Sequence, residues 1–196
     1  MLDVSVIDDP ATAGVTLDPM RARLLAELAQ PASATMLAAR VGLARQKVNY
    51  HLRELERHGL IALVEERKKG NVTERLMLAT ARSYVISPSV LADVQPDPAR
   101  SPDRLSATWL LALAARLVRE VGGLITRSGK AHKRLATFGL DAEVRFANPT
   151  DRALFVEELA RTVAALVGRY HDENAPDGRD HRVVIALHPR PRSEES

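Results

Sequence analysis

The chain of 196 residues has no cysteine. That removes disulfides, thiolate metal sites and cysteine nucleophiles together, and it fits a reducing compartment. Aromatic residues make up only 4%, so a core has to be assembled from Leu, Val, Ile and Ala, which favours helices. Long apolar runs are missing as well. The most apolar helical stretch, Trp109 to Leu117, runs into Arg116 and Arg119 and is too short to span a bilayer. The start of the chain lacks the basic residues and apolar run of a secretory signal. These absences lead to the expectation of a soluble, cytoplasmic protein without a membrane partner.

What is present is ordinary in bulk. Hydrophobic residues are 45% and charged residues 27%, as in a folded domain. The net charge of +3 becomes informative once it is located. Residues 1–18 carry four Asp and no cation, whereas residues 19–80 carry eleven Lys or Arg against six Glu. A positive excess concentrated in one third of a chain is where a polyanion would be held.

Local signals divide the chain into five stretches. Residues 1–17 read as an N-terminal tail, with a short apolar alternation at Val4 and Val6. Asp18-Pro19 is a helix start, Asp as cap acceptor and Pro at the first helical position. Leu24, Leu25 and Leu28 line one face until Gln30-Pro31. A second, short helix runs from Ser33 or Thr35 to Val41, with Met36, Leu37 and Val41 inward and Gly42 closing it. A third begins near Arg45 and ends at His58-Gly59, glycine being the usual left-handed stop. Leu60 to Glu66 and Glu74 to Thr80 are β-prone and flank a basic, Gly-containing tip, the pattern of a hairpin. Residues 81–102 hold four prolines and read as a linker, with one short strand at Tyr84 to Ser87. Residues 103–189 form a C-terminal region that opens on a long helix from Asp103 to Arg127. Even positions from Ala136 to Phe146 are apolar, the mark of a half-buried strand. Asn148 or Thr150 caps another amphipathic helix to Tyr170, and His181 to His188 reads as a second strand. Residues 190–196 read as a disordered tail. The expected class is α+β: a winged helix-turn-helix over residues 18–80, a C-terminal dimerisation helix and a small α/β extension.

On a helical wheel of residues 44–58, Val48, Leu52 and Leu55 fall together and face a core. Gln46, Tyr50, Arg53 and Arg57 fall opposite, with Lys47 and Asn49 on the flanks and Arg45 in the first turn. A DNA major groove asks for this arrangement: donors and acceptors near a helix N-terminus for base edges, and cations beside them for phosphates. Arg67, Lys68 and Lys69 at the hairpin tip, with Arg75 behind them, extend the contact along the duplex. Ser33 and Thr35, opening the second helix, are assigned to backbone phosphate. Any single charged residue here reads equally well as solvated surface. The combination is harder to dismiss, because Glu54 and Glu56 come late in the helix and its first turns hold no acid.

Asp18-Pro19-Met20-Arg21, the segment Ala39 to Val41, the run Gln46 to Leu55 and Gly59-Leu60-Ile61 resemble the ArsR/SmtB-like winged-helix repressors of prokaryotes. The resemblance covers residues 18–80. It implies a symmetric dimer that binds an inverted-repeat operator, commonly pairing through its first helix and a C-terminal helix. Here the latter role falls on Leu110, Leu113, Leu117, Val121 and Leu124, which step by three or four along residues 103–127. The metal-sensing members place cysteines where Ser33 and Thr35 stand, so a thiolate arsenic, cadmium or lead sensor is excluded. The extension beyond the long helix exceeds the usual family length and suggests an additional dimerisation or effector domain for an unknown small molecule.

The sequence holds no recognisable enzymatic constellation. His171, Asp172 and Glu173 cluster, but His181 and His188 are seven apart on an expected strand and point to opposite faces, so polar surface is the simpler reading than a metal site. Gly122-Gly123 marks helix weakening or close packing, and no phosphate loop or Gly-x-Ser-x-Gly elbow occurs. The cations Arg127, Lys130, His132, Lys133 and Arg134 suit a helix C-terminus. The function expected is therefore a non-enzymatic, cofactor-free, DNA-binding homodimeric repressor. A winged-helix architectural or protein-interaction module without sequence preference is the alternative.

Overall fold

The computed structural model describes residues 1–69, 72–100, 103, 106–131 and 135–190. They fall into two compact units, Met1–Leu135 and Ala136–Ser196.

Three helices form the centre of the first unit: α2 (Pro19–Glu27), α3 (Ala34–Val41) and α4 (Arg45–Arg57). Asp18 starts α2 as expected, its Oδ1 accepting the N–H of Met20 at 2.9 Å and of Arg21 at 3.0 Å. α2 stops at Glu27, three residues before Gln30, and the carbonyl of its C-cap Leu28 accepts the Ala79 N–H at 2.9 Å. Ser33 caps α3 and Gly42, at φ 71°, ends it. Gly59, at φ 67°, turns the chain out of α4 so that the Leu60 N–H reaches back to the Leu55 carbonyl. Leu24, Leu28, Leu37, Val48 and Leu55 are fully enclosed. Each such side chain contributes about 1.5–3 kcal/mol of apolar burial. Met36, expected inward, is 41% exposed: with Leu37 and Val41 facing the core, the preceding position is rotated about 100° away.

Two strands then form the hairpin, β3 (Ile61–Lys69) and β4 (Val72–Ala79), antiparallel in register from Ile61↔Ala79 to Lys69↔Val72, with a bulge at Val64. The short β2 (Ala32–Ser33) adds to the other edge of β4. The strands run further toward the tip than expected, while Gly70 and Asn71 lie outside the described residues.

The supposed tail and linker are both structured. Residues 2–7 are a strand, β1 (Leu2–Ile7), paired in parallel with β5 (Ala81–Ile86). Residues 10–16 are a helix, α1 (Pro10–Thr16), capped by Asp9. Ile7, Ala13 and Val15 are buried in the same core as α2–α4. A parallel pair is invisible to local reading because its partner lies about eighty residues away. Past β5 the prolines open two 3-10 turns, Pro88–Leu91 and Pro98–Arg100. The first is tied to β1 by the Ser87 N–H on the Ile7 carbonyl at 2.8 Å.

The long helix is α5 (Ala107–Ala131), set four residues later than expected, and it packs on β1 and on both 3-10 turns. Its stripe is therefore split. Leu113 is buried within its own unit and is not available to a second copy, which corrects its assignment to a dimer interface; Leu117 and Leu124 remain 43% and 39% exposed. A Cβ on Gly122 would sit 2.8 Å from Val6 Cγ1, so this glycine sets how closely α5 approaches β1.

In the second unit, Asn148 caps α6 (Pro149–Tyr170), and no residue of this helix is buried. The expected strands at 136–146 and 181–188 are not strands: among the described residues of this unit no ladder forms, and Phe138 and Leu140 are 92% and 84% exposed. Alternation describes side chains only. A strand also needs a neighbour for its N–H and C=O groups, and the small α/β extension is in fact one helix with extended arms. The arms meet through an Arg190–Glu143 ion pair at 2.8 Å. The tail from 191, and His132, Lys133 and Arg134, lie outside the described residues.

The close approach at Gly122 predicts opposite outcomes for two adjacent glycines. Gly122→Ala should lower the thermal midpoint. At Gly123 the new Cβ meets only the mobile end of Arg127, so Gly123→Ala should be neutral or stabilising by up to about 1 kcal/mol. Asp18→Ala should cost about 1 kcal/mol in urea unfolding at pH 7. The Arg21 N–H, then the Arg21 charge and the Met20 N–H, hold the Asp18 carboxyl below its ordinary 3.8. Its contribution is thus present above pH 3.8 and fades as pH falls through the lowered value, where parent and variant should converge.

Candidate nucleic-acid interface

The apolar side of α4 is clamped by the core, which leaves its other side to solvent. Arg45, Gln46, Lys47, Tyr50 and Arg53 are exposed and Asn49 is half-buried. Tyr50 stands 59% exposed, its ring edge-on to His51 at 5.5 Å. Among the described residues no hydrogen bond or ion pair engages the side chains of Arg45, Gln46, Lys47, Asn49 or Arg53. Ala44 precedes α4 without a side-chain cap, and no acid stands in the first turn. Free N–H groups and the positive end of the helix dipole thus lie at the same end of α4 as Arg45 and Lys47. Lower on the helix, Arg57 is committed to Glu54 at 2.8 Å.

Between α4 and β4 lies a cleft of about 160 Å³, whose polar lining includes Thr35, Arg45, Asn49, Arg53, Glu56, Thr73, Glu74 and Arg75. The hairpin is less basic than its cations imply. Arg67 makes a two-pronged contact with Glu65 at 2.7 and 2.9 Å, and the hydrogen bond from Arg67 is the main reason the Glu65 carboxyl is held below its usual range. Arg75 grips Glu56 through Nη2 to Oε1 at 2.7 Å and Nη1 to Oε2 at 3.2 Å, with Nε 3.8 Å from Glu66. Lys68 is exposed and has no such partner among the described residues; the side chain of Lys69 lies outside them.

Two sequence assignments change. Arg75, counted with the wing cations, has its guanidinium occupied by Glu56. Ser33, assigned to phosphate, is 1% exposed, donates its hydroxyl to Glu74 Oε1 and accepts the Met36 N–H. It holds the start of α3 to β4 and cannot reach a duplex. Thr35, two residues on, is exposed and remains able to. The residues missed by sequence reading are the acids Glu56 and Glu74, whose partners lie about twenty and forty positions away. No spacing rule joins them; only the β2–β4 pairing and the seating of β4 beside α4 do.

This geometry is a helix-turn-helix with a strand hairpin beside it. Residues 16–64 match the helix-turn-helix domain family. The match spans α2, α3 and α4 and ends inside β3, well under half the chain, and it supports a DNA-binding domain in a regulator of transcription. The curated proteins contain no match. No helix among the described residues is long and apolar enough to cross a membrane.

The different placements of Ser33 and Thr35 predict that Ser33→Ala, which removes a cap and a buried donor, should cost about 1–2 kcal/mol of unfolding free energy. Thr35→Ala should stay within about 0.5 kcal/mol of the parent while weakening DNA binding. Urea melts and a gel-shift titration of both variants check this.

Proposed function

We propose that the protein is a sequence-specific transcription regulator, a homodimeric repressor that reads an inverted-repeat operator with α4 and steadies the duplex with the β3–β4 wing. The observation that carries this reading is the uncommitted outer face of α4. Among the described residues none holds the side chain of Arg45, Gln46, Lys47, Asn49 or Arg53, on a helix whose inner face is locked. Arg53 has the fork that suits guanine O6 and N7, and Gln46 and Asn49 the paired donor and acceptor that suit adenine. Arg45, Lys47 and Lys68 supply phosphate contacts. Dimer formation falls to the part of the α5 stripe left open, Leu117 and Leu124 with the half-buried Leu110 and Val121.

A winged helix that only holds the backbone has no use for amides at the start of its exposed helix. The test is a selection of DNA fragments by the purified protein, followed by competition between the enriched fragment and unrelated duplex. Arg53→Ala and Gln46→Ala should each reduce discrimination by about 1–3 kcal/mol at one base position. Lys68→Ala should weaken all sequences alike and shift the slope of log affinity against log salt by about 0.9. Equal behaviour of parent and variants on both duplexes would remove the base-reading assignment.

A further inference from the structure

An outward face on α4 and a cation-bearing hairpin can engage one duplex together only if the angle between them is held. Shared hydrophobic core fixes the root of the hairpin, where Leu60, Ile61, Met77 and Ala79 are buried. Beyond that root Leu76 of β4 is still buried, but Leu63 and Val64 of β3 are exposed. Two polar ties act here, from consecutive residues of β4 to two different helices. Glu74 accepts the Ser33 hydroxyl at the start of α3. Arg75 reaches across to α4 and takes both carboxylate oxygens of Glu56.

We propose that Glu56 and Arg75 are positioning residues that set the α4–wing angle for base reading, Arg75 holding Glu56 instead of a phosphate. This rests on the DNA-reading function above. The argument is one of sign as well as geometry. A carboxylate lining the same cleft as Arg45 and Arg53 opposes attraction of a polyanion. A surface needing only positive charge gains nothing from Glu56. Used as an anchor it gives Arg75 a fixed direction, because two parallel N–H···O bonds define an orientation that a single point charge does not. Both partners are ionised at neutral pH: the Arg75 hydrogen bond holds the Glu56 carboxyl below its usual range, and Glu56 raises the Arg75 guanidinium in turn. The pair is partly exposed, 45% and 35% for the two side chains, so it adds little to overall stability. Its variants should fold.

The experiment uses the full chain, its best selected duplex and an unrelated duplex of equal length. Glu56→Gln should lower the affinity ratio between the two by about tenfold although it adds positive charge. Arg75→Gln should lower the same ratio and leave the salt slope unchanged. In the absence of DNA, amide hydrogen exchange across residues 73–79 should quicken in both variants at unaltered melting temperature. The double variant Glu56→Arg with Arg75→Glu should regain the parent's protection. Tighter binding of both duplexes by Glu56→Gln at constant ratio would overturn the proposal, as would a salt slope reduced by about 0.9 in Arg75→Gln, the mark of a direct phosphate contact. A parent that selects no sequence would overturn the DNA reading, and with it the proposed purpose of the tie. The exchange measurement would still decide whether the tie exists.

Discussion

Val48, Leu52 and Leu55 on one side of α4, pressed against Leu24, Leu28 and Leu37, are the contact on which the remainder of the first unit turns. A helix of thirteen residues has little stability alone. Held by three buried side chains it becomes a rigid rod with a defined rotation, and rotation decides which residues solvent meets. Gln46, Tyr50 and Arg53 face outward because Val48, Leu52 and Leu55 cannot. A polar substitution among those three would do more than open a cavity: it would release the phase of the helix and scatter the outer set.

Charge counted along the chain and charge available in space differ here. Residues 19–80 carry eleven cations, yet Arg57, Arg67 and Arg75 each spend their charge on a neighbouring carboxylate, and Arg23 spends its hydrogen bonds on the carbonyls of Arg40 and Val41 at the end of α3. Arg21 and Arg40 stand beside Asp18 and Glu27, and among the described side chains Arg45, Lys47, Arg53 and Lys68 stay open. The basic surface is therefore narrower than composition implies, and centred on the first turns of α4, where the helix dipole adds to it.

Which parts of this were legible from sequence follows from the range of the interaction that makes each one. Caps act within three residues, so Asp18, Ser33, Gly42, Gly59 and Asn148 mark their helices directly. The inward face of α4 follows from a period of 3.6. The β1–β5 pair does not, since a parallel partner leaves no local trace, and prolines that open 3-10 turns look the same as prolines of a linker. Nor does Arg75. Its neighbours in the chain are those of a wing cation, and only the folded register brings Glu56 to it. Residues 136–146 fail for the converse reason: the alternation is real, but side-chain pattern cannot supply the backbone partner a strand requires.

The segments misread as tail and linker do more than cover the core. The Thr12 hydroxyl of α1 meets His58 Nδ1 at 3.1 Å, at the end of α4. The Tyr84 hydroxyl of β5 donates to the Leu60 carbonyl at 2.9 Å, and the Thr80 N–H reaches the same oxygen at 3.0 Å. Two separate stretches of chain, α1 and residues 80–84, thus converge on the C-terminal end of α4 and the turn that follows it. The N-terminal end, by contrast, has no side-chain cap. A rod fastened along one side and at its far end, with its near end left open, can present fixed donors without rearranging. Such pre-organisation limits the ordering entropy lost on binding. Thr12 of α1 and Tyr84 of β5 therefore help to fix the rotation of the reading face through His58 and Leu60, with no contact to the duplex themselves.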